Sequence, residues 1–103
     1  MTGKEILQQL NALLDSHAKL GGSIYQVGYK DDFFKLFIEA YRNDDFDVKA
    51  HPRLTGDAIR DYFNENIFIE KNDVNAKKIE LLEGVLGMWM EWYYALDKVG
   101  VEL

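Results

Sequence analysis

The feature that most constrains this chain is an apolar run near its C-terminus. Residues 74–98 keep helical spacing with no proline to interrupt them. On a wheel at ~100° per residue, Ile79, Leu81, Leu82, Val85, Leu86, Met88, Trp89, Met90, Trp92, Tyr93, Tyr94 and Leu96 cover roughly two thirds of the circumference. The polar remainder is a stripe holding Glu80, Glu91 and Lys98, with Gly84, Gly87 and Ala95 beside it. A helix packed on one core shows an apolar stripe only a little wider than ~100°. This one needs more cover, and two readings supply it. Either the helix is central and the rest of the chain wraps it, or part of its surface meets another chain. Met88, Trp89, Trp92 and Tyr93 are the residues expected at a partner or homodimer interface, because Trp, Tyr and Met bury large area there. A symmetric dimer is the simplest cover for such a face. Mid-helix glycine is unfavourable, so Gly84 and Gly87 hint at close approach of another backbone or a large ring.

Three shorter segments precede this helix. Thr2 and Glu5 stand at capping-box spacing. Ile6, Leu7, Leu10, Leu13, Leu14 and His17 then share one face up to Leu20, and Gly21-Gly22 supplies a stop. Asp31 or Asp32 can cap a helix to Arg42, with Phe33, Phe34, Leu36, Phe37, Ile38 and Tyr41 making a wide apolar face. Residues 43–54 read as a loop, since Pro52 biases His51 away from helical angles. A third helix is expected to start near Thr55 or Asp57 and to carry Ala58, Ile59, Tyr62 and Phe63. Asp73 or Asn75 is the expected cap of the last. Tyr25, Val27 and Tyr29 alternate with Gln26 and Gly28, a period that suits a strand. One short segment without a strong partner makes no sheet. The favoured reading of 24–29 is therefore an ordered loop, and the alternative is a minor extended pair with Ile67-Phe68-Ile69. The expected architecture is an all-α, four-helix arrangement of about 2–20, 31–42, 56–65 and 74–98, forming one helical domain over 1–103.

Composition narrows the chemistry. With 103 residues, 48% hydrophobic and 29% charged, the chain has enough apolar material for one core. The absence of cysteine removes disulfides, thiolate zinc sites and cysteine nucleophiles. No signal-like leader and no uncharged apolar run of ~18 residues occurs, so a cytoplasmic protein with no membrane role is expected. The net charge of −6 and the scattered Lys and Arg residues oppose direct nucleic-acid binding.

No catalytic constellation emerges, and no cofactor or metal is expected. His17 and His51 are the only histidines and stand far apart, without Glu-x-x-His or His-x-x-x-His spacing. Asp44, Asp45 and Asp47 lack the turn glycine and closing glutamate of a calcium loop. Asp57, Asp61 and Glu65 make an acidic ridge at helical spacing, whose ordinary role is a solvated face. The first functional expectation is a non-catalytic interaction or regulatory module that self-associates through the aromatic helix or takes another protein partner. A second is an acidic decoy or inhibitor of the immunity or anti-defence kind, presenting Asp44, Asp45, Asp47, Asp57, Asp61 and Glu65 to a basic site. A third is a small-ligand binder with a pocket at His17, Tyr25 and Tyr29.

Overall fold

The computed structural model describes residues 1–21, 29–46 and 51–98, with backbone alone at 29–30 and 96–98. Four helices follow in order: α1 (Gly3–Lys19), α2 (Tyr29–Arg42), α3 (Pro52–Asn66) and α4 (Asp73–Lys98), with a single 3-10 turn at Asp44–Phe46. The arrangement is all-α with four helices, as the periodicity predicts. Among the described residues there is no strand, and no helix is long and apolar enough to cross a membrane. Residues 24–28 of the extended alternative lie outside the described residues.

Local chemistry explains each start and stop. The Thr2 hydroxyl accepts from the Glu5 amide at 3.2 Å while the Glu5 carboxylate accepts from the Thr2 amide at 3.3 Å. This is the reciprocal capping box, and it holds the Glu5 carboxyl below its usual range. At the other end Gly21 takes φ +67°, the left-handed conformation that ends helices. Helix α3 starts earlier than expected. His51 is its N-cap, with Nδ1 accepting from the Arg53 amide at 3.1 Å, and Pro52 occupies the first turn. Proline is well suited there because its missing N–H has no intrahelical acceptor and its φ is already helical. Thr55, one of the expected caps, instead lies buried inside the first turns. The cap of α4 is likewise displaced by one residue: the Asn72 side chain accepts from the Asn75 amide at 2.8 Å.

Residues 67–69 form a turn, not a strand. The amides of Ile67 and Phe68 both donate to the Phe63 carbonyl, at 2.9 and 2.8 Å, which winds the chain tightly off α3. Phe68 tucks under, its ring 5.5 Å from Phe63, while Ile69 points outward. Asn75, itself buried, donates to the carbonyls of Ile67 and Glu70 at 3.1 and 2.8 Å. The β-branched run that suggests an extended segment is thus satisfied by one inward ring and a side chain that binds the turn's carbonyls.

Helix α4 packs against all three others. Ile6, Leu10 and Leu14 of α1, Phe33, Phe37 and Ala40 of α2, and Ile59 and Phe63 of α3 meet Leu81, Leu82, Val85, Leu86 and Trp89 of α4. Gly56 on α3 faces α4 at ordinary contact distance. A Cβ there would stand 3.4 Å from Leu86 Cδ2 and 3.8 Å from Trp89 Cδ1. At Gly87 a Cβ would meet nothing within 4 Å, so that glycine serves no close contact.

Two stability effects follow from these environments. Gly87→Ala should raise the unfolding free energy by about 0.5–1 kcal/mol, since it removes backbone entropy without a clash. Thr55 Oγ1 is buried with no hydrogen-bond partner. Thr55→Val should therefore leave stability unchanged or raise it by about 1 kcal/mol, the desolvation penalty of that hydroxyl. Urea unfolding of both variants checks the two signs.

Candidate functional site

An aromatic cluster joins α2 to the C-terminal half of α4. Trp89 stands at its centre, with ring centroids 5.4 Å from Phe37, 6.1 Å from Phe34, 6.4 Å from Tyr41 and 6.1 Å from Tyr93. The indole N–H donates to the Pro52 carbonyl at 2.6 Å. Trp89 is 1% exposed. The residue expected at a partner face therefore belongs to the chain's own core, because α2 and the start of α3 close over it.

The other three residues of that expectation sit at the margin. Met88, Trp92 and Tyr93 are half-buried, and Tyr94 is 50% exposed. Trp92 meets Phe34 edge-to-face at 5.2 Å, and Tyr93 lies 5.6 Å from Tyr41. Phe34 in turn lines an open groove of about 820 Å³ along α1 and α2. Met1, Leu13, Leu36 and Ile38 are its other large apolar lining residues, and Asp32, Lys35, Glu39 and Arg42 line it as well. The incompletely buried apolar surface is thus shared among α1, α2 and α4, with Phe34 touching both the groove and Trp92.

The acidic residues are not gathered into one patch. Asp44 and Asp45 lie in the 3-10 turn, which packs on the start of α1. Asp45 Oδ2 accepts from the Gly3 amide at 2.8 Å, and a Cβ on Gly3 would stand 2.9 Å from Asp45 Cβ. That carboxylate caps α1. Asp57 lies 3.8 Å from Arg53 and 3.9 Å from Arg60, and Arg60 also holds Glu83 at 3.2 Å. Asp61 and Glu65 are exposed further along α3. Asp47 lies outside the described residues. So does Tyr25, together with the side chain of Tyr29. His17, the third residue of the expected pocket, is half-buried on α1 and does not line the groove.

Lys78 is the residue that sequence reasoning missed. It is 4% exposed, and its ammonium donates to Asn11 Oδ1 at 2.6 Å with Asp15 at 3.9 Å. Burial pushes its pKa below the ordinary lysine value, and Asp15 works against that shift. The signal was present: Lys78 stands three and four residues before Leu81 and Leu82, on the inward stripe of α4. A cleft lined by Asp15, Lys19, Glu70, Asp73 and Lys78 opens beside it. Among the described residues no cluster of three or more histidine or carboxylate side chains could hold a metal ion. The chain matches no family model, no curated protein and no solved structure.

The two tryptophans should separate spectroscopically. At concentrations where the chain is monomeric, Trp92→Phe should leave a fluorophore sheltered from acrylamide, whereas Trp89→Phe should leave one that is readily quenched. Equal quenching of the two variants would contradict the burial described here.

Proposed function

We propose that this protein is a non-catalytic interaction module that self-associates through the apolar surface shared by α2 and α4. The observation that carries the reading is the half-buried apolar surface of Trp92, Phe34 and Ile38, with Leu36 and Leu13 lining the same groove beyond a charged stripe. Soluble monomers seldom leave such contiguous apolar surface wet. Large aromatic side chains are the usual anchors when it is covered by a partner. The groove also carries charged side chains of both signs beside its apolar residues.

The acidic-inhibitor alternative draws less support from the geometry. Asp45 and Asp57 already neutralise an amide terminus and two guanidinium groups within the chain. A decoy works best with carboxylates that are unpaired and clustered. The small-ligand alternative has the groove in its favour, but an open groove buries little of a ligand compared with the enclosed pockets that hold one tightly.

Sedimentation across a concentration series tests the proposal. The chain is expected to approach twice its monomer mass at micromolar concentration, and Trp92→Ala to shift the equilibrium about tenfold or more toward monomer. A sharp monomer at every concentration, with Trp92 freely quenched throughout, overturns it.

A further inference from the structure

The exposed face of α2 has a charge order that is complementary to itself. Asp32, Lys35, Glu39 and Arg42 are all exposed, follow each other at spacings of three, four and three, and line the groove. Read forward the stripe runs minus, plus, minus, plus. Read backward it runs plus, minus, plus, minus. A second copy of α2 laid antiparallel, with its two-fold axis beside residue 37, sets Asp32 against the partner's Arg42 and Lys35 against the partner's Glu39. At ~100° per residue Leu36 and Ile38 flank this stripe on opposite sides, so in the same register each meets its own counterpart at one edge of the contact. Asp31 then faces the partner's Asn43 and meets no like charge. A parallel pair would instead set every charge against its own kind.

Two further observations bear on this arrangement. Lys35 and Glu39 stand at i, i+4, where an intrahelical pair is available. Asp32, Lys35 and Glu39 nevertheless make no ion pair or hydrogen bond among the described residues. The whole chain carries −6, so two copies repel wherever their surfaces meet without local balance. The α2 stripe, with two acids and two bases, offers that balance beside the apolar strip.

We infer that the partner on this surface is a second copy of the chain, docked by an antiparallel α2–α2 contact that Lys35 and Glu39 hold in register. The inference rests on the self-association proposed above and adds its geometry. Isologous contact about a two-fold is the commonest form of a closed dimer, and opposed charges at its rim set register more than they set strength.

A charge-swap cycle read by sedimentation equilibrium tests it. Lys35→Glu makes each copy more negative by two charges, and Glu39→Lys makes it less negative by two. General repulsion would therefore move the two variants in opposite directions. The register predicts that both weaken the dimer, each by about tenfold, and that the double variant returns to within about threefold of the parent. Both sites are exposed, and unchanged melting curves confirm that the fold is intact. A second readout uses the chain's lack of cysteine. Ile38→Cys lies near the axis and should crosslink on mild oxidation. The Cα levels of Asp32 in the two copies would be about 15 Å apart along the helix at ~1.5 Å per residue, so Asp32→Cys should not. A dimer that responds to Trp92→Ala but not to the charge swaps, or that crosslinks at position 32 and not at 38, overturns this register and leaves the self-association reading standing. A chain that never dimerises removes both.

Discussion

The structure turns on the burial of Trp89. Its indole lies among Phe34, Phe37 and Tyr41 of α2, beside Gly56 of α3, and donates to the carbonyl of Pro52. A buried indole N–H needs an acceptor, since leaving it unpaired costs about 1–3 kcal/mol. The acceptor it finds is a carbonyl in the first turn of α3, so the hydrogen bond fixes where α3 begins relative to α4. His51, Pro52 and Trp89 act together: the cap and the proline start the helix, and the indole ties it down.

A second tie sets α1 and the α3–α4 turn. Lys78 reaches out of α4 to Asn11 and toward Asp15, while Asn75, one turn earlier, holds the carbonyls of Ile67 and Glu70. Buried polar groups of this kind add little net stability because their desolvation nearly cancels their hydrogen bonds. Their geometric effect is larger. A slip of α1 along α4 by one turn would leave the ammonium unpaired in a dry site, whereas apolar contacts alone would tolerate it. The apolar residues thus supply the driving force, and Lys78 and Asn75 select among the packings it permits.

The helices were legible in the sequence because their signals are local. The Thr2–Glu5 box, the Ile6–Leu10–Leu14 stripe and the left-handed Gly21 each act within one or two turns. What was not legible depends on distant partners. Nothing near Pro52 says that its carbonyl will receive an indole proton, so the proline reads as the end of a loop and not as the first turn of α3. Phe68 alternates with Ile67 and Ile69 as a strand would, but Phe63 and Asn75 make a tight turn the better solution. Gly87 suggests a close approach, but a Cβ there would meet nothing within 4 Å. The candidate surface was half legible: Trp92 and Tyr93 stand at its edge as their wheel positions imply, but Trp89 lies in the core. The contribution of Phe34, Leu36 and Ile38 appears only once α2 is set beside α4.

The breadth of the apolar stripe on α4 therefore has two causes, and they divide along the helix. In its middle the helix is surrounded, and Leu82, Val85 and Trp89 need their apolar character to fill a core reached from three sides. Nearer the C-terminus α2 lies over one flank, through Phe34 to Trp92 and Tyr41 to Tyr93. The same helix passes from enclosed to half-covered with no change in composition. Folding within the chain explains the first part of the stripe. It leaves Trp92 and Tyr93, half-buried against Phe34 and Tyr41, as rings that the chain covers only in part. That incomplete cover, set beside a charged stripe on α2 that mirrors itself, is what directs attention to a second copy of the chain.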